Sequence, residues 1–218
     1  MSQSKRIWGW FFYDWACQPF YTLMLTFFFD PYFATVAADY FVASGMEIEA
    51  SKAKAQTMWS ICLSASGLFI GISAPILGAI ADTSGRRMPW IYVFSIMLIV
   101  GALGTWVGVP DGSNLTLMLY FFALGYIGTE FALIFTNAQL TTLGDQNEIG
   151  KISGSGFGFG YLGGVFALAI ALLFLVEQPN GTTFMLGIEP LFGFLNPENM
   201  EGTRFVGPLA AVWFIVFA

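Results

Sequence analysis

Long apolar runs almost free of charge decide what this chain can fold into. Residues 8–29, 57–81, 89–109, 115–143, 157–176 and 205–218 are such runs, and only Asp14 and Glu130 interrupt them with a charge. About 20 mostly apolar residues cross a hydrocarbon core roughly 30 Å thick. Charged residues make up 10% of the chain, where a soluble domain carries about 25%. A water-facing surface cannot be assembled from so few charges. The expected fold is therefore all-α: a polytopic bundle of six transmembrane helices, one unit over residues 1–218. The sixth run, at about 1.5 Å per residue, reaches only about 21 Å. That predicts a last span that is incomplete at residue 218.

Charge and composition exclude several classes of function. The chain has no His, which removes Ser-His-Asp triads, HExxH zinc sites and histidine relays. Cys17 and Cys62 both lie in apolar runs and read as small hydrophobes, not as a disulfide or metal framework. No metal and no cofactor is expected. A net charge of −6 repels nucleic acid. If the spans alternate, Lys5, Arg6, Arg86, Arg87 and Lys151 share one side, against Lys52, Lys54 and Arg204 on the other. The positive-inside rule then puts the N-terminus in the cytoplasm. A signal peptide is disfavoured, because the first run is too long and Asp14 breaks it. Residues 39–56 are expected to form an outer loop with a helical piece. Residues 177–204 are expected to form a long outer loop with apolar side chains in the membrane interface.

Acidic residues inside spans are expensive, so function is the default expectation for them. Asp30-Pro31 fits an N-cap followed by proline at the first helical position, with a helix restarting towards Ala38. At about 100° per residue, Asp14, Gln18, Tyr21 and Tyr32 fall on one face of the first span. Tyr126, Glu130, Asn137 and Thr141 lie within roughly 60° of one another on the fourth. Such a polar stripe must face protein or water, and Glu130 is expected to border a watery cleft. A carboxyl there can carry a proton or pair with a substrate ammonium. Gly154, Gly156, Gly158, Gly160, Gly163 and Gly164 open the fifth span in overlapping small-xxx-small pairs, which suits close helix packing. Gly67, Gly71, Pro75 and Gly78 give the second span a similar look. The spacing Gly158, Gly160, Gly163 is not a dinucleotide fingerprint, because no strand precedes it.

Between the second and third runs stands Gly78-Ala79-Ile80-Ala81-Asp82-Thr83-Ser84-Gly85-Arg86-Arg87. It suits a tight two-helix turn bent at Gly85, with Asp82 accepting from helix-terminal amides and the arginines anchoring at the membrane face. It resembles the G-x-x-x-D-x-x-G-R-[KR] signature of the major facilitator superfamily. Trp10-Phe11-Phe12-Tyr13-Asp14-Trp15-Ala16 resembles the W-x-x-Y-D-W-A opening of that superfamily's autophagy-related vacuole effluxer-like branch, the unknown major facilitator family. Residues 152–164 resemble its S-x-x-G-x-x-x-G-Y-L-G-G segment, and Phe135-Thr136-Asn137-Ala138 its F-Y-N-A stretch with Thr136 departing. Cys17-Gln18-Pro19 also departs from the branch pattern.

The resemblance implies the N-terminal half of a twelve-helix fold, completed by a C-terminal half or a second copy. It implies alternating access in a membrane such as the bacterial inner membrane, with spans one and four lining the cavity. Gly78, Asp82, Gly85, Arg86 and Arg87 would form a gate, and Gly156, Gly160, Gly163 and Gly164 a packing seam. The expected function is secondary transport of a small polar solute, amino acids being the class reported for vacuolar members. Asp14, Gln18, Tyr21, Tyr126, Glu130 and Asn137 are the candidate substrate or proton ligands. The alternative is a non-transporting scaffold of six helices. An intramembrane enzyme is disfavoured by the lack of His and of an acid cluster in any one loop.

Overall fold

The computed structural model describes residues 2–218, and these are helical apart from loops and one isolated bridge, Glu177 to Thr183. Helix α1 spans Gln3–Pro19 and runs directly into a π-helical segment, Phe20–Phe27. Helix α2 spans Phe29–Ala43 and α3 spans Ile48–Ser84. Helices α4 (Met88–Gly104) and α5 (Leu115–Asn137) follow, each extended by a short 3₁₀ turn. Helix α6 is Gln146–Phe174, α7 is the single turn Glu201–Arg204, and α8 is Val206–Phe217. Four of these segments are long and apolar enough to cross a membrane: Ile48–Ser84, Met88–Val107, Leu115–Thr142 and Gln146–Phe174.

The first apolar run, expected as a span, is not one of these four, and it shows how one proline reshapes a helix. Pro19 has no N–H, so the carbonyl of Trp15 loses its i+4 donor. The indole Nε1 of Trp213 on α8 takes that place at 3.3 Å. Beyond Pro19 the chain winds as a π-helix, closing with Phe28 N–H to Leu23 O at 3.1 Å. Each π turn takes in about one extra residue, so the helical register drifts. The path breaks at Phe28, with φ −125° and ψ −51°, and α2 restarts there. Phe28, not Asp30, is the N-cap, and Asp30 lies inside the first turn of α2. The same drift removes Tyr32 from the face of Asp14; its hydroxyl donates instead to Gly108 O at 2.7 Å.

The expected outer loop at 39–56 is mostly helix. Glu47 caps α3 by accepting from Ala50 N–H at 3.0 Å, and Glu49 pairs with Lys52 at 2.9 Å one turn on. These polar residues belong to a helix that continues past its apolar stretch. At its other end Gly85 adopts φ +64°, which a side chain would strain, and its N–H closes the helix on Asp82 O.

Aromatic packing fills the centre of the bundle. Phe122 of α5 stacks on Phe29 at 5.6 Å and Phe20 at 5.9 Å, and meets Trp59 of α3 at 4.5 Å. The closest helix pair is α4 with α5. A Cβ at Gly101 would collide with the backbone of Gly125, and one at Gly128 would stand 2.8 Å from Phe94 O. By contrast Gly67, Gly71 and Gly78 of α3 have nothing packed against them. The expected seam in the second span is therefore unpartnered within this chain, while an α4–α5 seam not visible as a repeat is the tightest.

The last loop is fastened to the bundle by two ionic side chains, buried Arg204 and half-buried Glu177. Arg204 is 7% exposed and donates to Trp106 O at 2.6 Å and to Asn199 O at 3.4 Å, with its guanidinium 4.5 Å over the Trp106 ring. Glu177 accepts from Thr203 N–H at 3.1 Å, and burial pushes its carboxyl above the ordinary value of 4.5. A folded-state value raised above the unfolded one stabilises fully below pH 4.5 and loses that contribution as pH rises through the raised value. Glu177→Gln is thus expected to raise the melting temperature of the purified protein at pH 7, with little change at pH 4. A melting series in detergent across pH 4–7 checks this; an equal shift at both ends would contradict it.

Candidate functional site

The first span touches two different helices with its candidate side chains. Asp14 is buried, 4% exposed, against α6. Its Oδ2 lies where a Cβ of Gly160 would be, and it has no hydrogen-bond partner among the described residues. Gln18, one turn on, is buried beside Gly164, 3.5 Å from the Cβ position there. Gly156 receives the Trp10 ring and Gly163 lies under the Trp15 carbonyl, 2.6 Å from its Cβ position. Gly156, Gly160, Gly163 and Gly164 therefore hold the first helical stretch against α6, whereas Gly154 and Gly158, expected to pack with them, lie on the open side of the helix and meet nothing. Tyr21 instead reaches α5, where its hydroxyl donates to Glu130 Oε1 at 2.9 Å.

On α5 Tyr126 precedes Glu130 by one turn and stacks on Phe122 at 6.0 Å. Both residues are half-buried. Asn137 is exposed and is the last residue of α5. At about 1.5 Å per residue it lies some 10 Å along the helix from Glu130. The structure therefore joins Tyr21, Glu130 and Tyr126, sets Asp14 and Gln18 on the neighbouring seam, and leaves Asn137 apart.

Two cavities in the bundle lie away from Glu130, where a watery cleft was expected. A cavity of about 740 Å³ opens among α1, α4, α5 and α8, lined by Lys5, Arg6, Tyr13, Ser95, Thr136 and Phe214 among others. A second, of about 340 Å³, lies between α3 and α5 around Cys62 and Tyr120. Neither is lined by Glu130 or Asp14. The Glu130 carboxyl is instead half-exposed on the surface of the bundle.

Sequence reasoning passed over the polar contacts of the larger cavity. Tyr13 hydroxyl and Ser95 Oγ are 2.8 Å apart there, and Thr136 Oγ1 is buried with no hydrogen-bond partner among the described residues. The sequence signal for them was only that each is a hydroxyl within an apolar run. It also missed the clasp in which Arg6 donates to Thr142 O and Gln3 to Leu143 O at 2.9 Å, tying the start of α1 to the α5–α6 turn.

The loop between α3 and α4 is built differently from expectation. The Asp82 carboxylate does not accept from helix-terminal amides. Its Oδ1 takes Nη2 and Nε of Arg87 at 2.7 and 3.1 Å, while Arg87 Nη1 donates to Ala138 O at 2.7 Å. Arg87 is thus a strut from α3 to the end of α5. The reason is reach: Arg87 folds back over five residues and its planar fork meets two acceptors at once. Arg86 is exposed and Gly78 lies mid-helix in open space. Arg87→Lys keeps the charge and loses the fork. An exposed ion pair contributes about 0.2–1 kcal/mol, so the bundle should stay folded. Hydrogen exchange over residues 82–88 is expected to rise, and unchanged exchange there would contradict the strut.

No group of three or more Cys, Asp or Glu that could hold a metal ion occurs among the described residues. Long, charge-poor helices with carboxyls and hydroxyls inside them define a polytopic helical membrane protein. The chain belongs to the vacuole effluxer Atg22-like family, whose model matches residues 2–218, as the motifs at Trp10–Ala16 and 152–164 implied. It is similar to the uncharacterized MFS-type transporter YxiO of Bacillus subtilis (strain 168), 27% identical over 176 residues that make up 80% of this chain and 39% of that protein. The chain thus spans about two fifths of that relative's length. No solved structure matches it. Family membership favours a transporter over a static scaffold.

Proposed function

We propose that this chain is the N-terminal six-span half of a secondary transporter that moves a small polar solute, with amino acids as the leading class, by alternating access. The observation that carries this is the Tyr21–Glu130 hydrogen bond at 2.9 Å, a carboxyl shared between the first and fourth spans and half open at the surface of the bundle. Glu130 and Asp14 hold a proton or a substrate ammonium, and Tyr21, Tyr126 and Gln18 supply neutral hydrogen bonds. Asn137 serves at the inner end of the path. Interhelical hydrogen bonds in membranes average only about 0.6 kcal/mol, so stability alone is a weak reason to keep an acid there. The C-terminal half, or a second copy, closes the cleft over Glu130. The Asp82–Arg87 loop, with Gly78, Gly85 and Arg86, lies at the cytoplasmic gate, as the positive-inside bias supports. A bacterial inner membrane fits the Bacillus relative. No enzymatic step is assigned to the chain.

The test is a solute screen with the full-length protein in proteoliposomes, amino acids first, with and without an imposed proton gradient. Gradient-dependent accumulation of an amino acid is the expected result. Uptake no greater than that of empty vesicles across the panel would overturn the proposal.

A further inference from the structure

The loop after α6 carries an apolar surface that the transport proposal does not use. Phe184, Met185, Leu186, Phe192 and Phe194 are exposed, Phe194 to 83%. Two clusters form, and both are pinned to the last turn of α6. Met185 N–H bonds to Leu172 O at 3.2 Å, and the Phe192 ring lies 5.8 Å from Phe174. Leu191 and Phe192 are held at φ +46° and +59°, in the left-handed region that side chains avoid. Buried Pro190 and Leu195 bracket them, with Leu195 N–H on Pro190 O at 3.4 Å. The backbone is strained to hold Phe192 and Phe194 outward.

The level of the loop says what it meets. About 20 helical residues cross the hydrocarbon. Counted from Lys151, the charged residue nearest the start of the α6 apolar run, that depth ends about where α6 ends. The exposed side chains thus continue the apolar face of Tyr161, Leu162, Val165 and Phe166 on α6. Two of the loop's acids are held by its own amides, Glu177 by Thr203 N–H and Glu201 by Asn196 N–H at 2.9 Å, while Glu189 and Glu198 are exposed and carry the wrong sign to draw an anionic headgroup. The loop's one cation, Arg204, is buried. Nothing cationic is left to draw an anionic headgroup.

We infer that residues 184–194 form a membrane-interface anchor, inserting Phe184, Met185, Phe192 and Phe194 among the acyl-chain ends of the leaflet opposite the Asp82–Arg87 loop. Binding is by apolar insertion and does not require anionic lipid. The anchor braces the outer end of α6.

The experiment places an environment-sensitive NBD probe at Phe194→Cys in the full-length protein, with Cys62→Ala removing the other reachable thiol of these 218 residues and any reachable cysteine elsewhere in the protein replaced as well. Phe194 packs against little, so the variant should fold. In phosphatidylcholine vesicles the expected result is blue-shifted emission, quenched several-fold by brominated acyl chains and little by aqueous iodide. A probe at Asn180→Cys, on the polar turn of the same loop, should show the reverse. Anionic phosphatidylglycerol should not strengthen the lipid quenching. Iodide quenching at Phe194 equal to that at Asn180 would put the loop in water and overturn the anchor. Shielding from both quenchers would mean that protein covers the patch and would overturn it equally.

Discussion

Glu130→Gln is expected to cut solute uptake by roughly 10- to 100-fold and to flatten its dependence on the proton gradient, while the protein still inserts and purifies. The size follows from chemistry. A hydrogen bond to a charged group contributes about 1.5–3 kcal/mol, and about 1.4 kcal/mol is tenfold in rate. Gln keeps the shape and still offers an oxygen to the Tyr21 hydroxyl, now 2.9 Å from Glu130 Oε1. What it removes is ionisation. If Glu130 carries a proton or meets a substrate cation, Gln cannot replace it. If Glu130 is only a strut between helices, Gln serves nearly as well. Tyr21→Phe separates these further. It deletes one neutral donor and should reduce uptake only a few-fold, leaving the gradient dependence in place. The measurement is initial uptake in proteoliposomes at two internal pH values. Wild-type rate and pH response in Glu130→Gln would remove the carboxyl from the transport site.

The pairing of Tyr21 with Glu130 shows what a sequence hides in this kind of chain. Each residue is visible as polar within an apolar run, but their meeting is a contact between two helices that no periodicity along one helix reports, and eight residues of π-helix follow Pro19. A 3.6-residue wheel cannot carry register through that segment, which is why Tyr32 falls away to Gly108. Helix ends are hidden for a related reason. Hydropathy reports where hydrocarbon ends, not where a helix ends. Thus α3 begins at Ile48 among charges, and α5 ends at Asn137 although apolar Leu140 and Leu143 follow. The α1–α6 seam was legible because its small residues recur along one helix at four-residue spacing. The α4–α5 contact was not, because Gly101 answers Gly125 across two helices. The family motifs carried the class of the protein, since their residues lie at caps, turns and seams whose geometry is local.

Gly160→Leu should strongly damage folding, because the space its side chain needs already holds the Asp14 carboxyl. Overpacking a tight core costs about 1–3 kcal/mol, and here the obstacle is a buried acid on a helix fixed at both ends. At one end Arg6 and Gln3 clasp the α5–α6 turn, and at the other Trp213 holds the Trp15 carbonyl. Gly158→Leu is the control: it lies on the same helix and meets nothing within 4 Å. The expected outcome is loss of most monodisperse protein in detergent for Gly160→Leu and near wild-type yield for Gly158→Leu. A milder pair isolates the contact itself. Gly160→Ala alone brings a methyl onto Asp14 Oδ2, whereas with Asp14→Ala the obstructing atom is gone. The two changes in one chain should therefore destabilise less than the sum of each alone, by at least about 0.5 kcal/mol, as residues in contact do. Thermal unfolding of the four proteins measures that coupling. Strict additivity would mean that α1 and α6 do not meet at this point, and Asp14 would then have to face another surface.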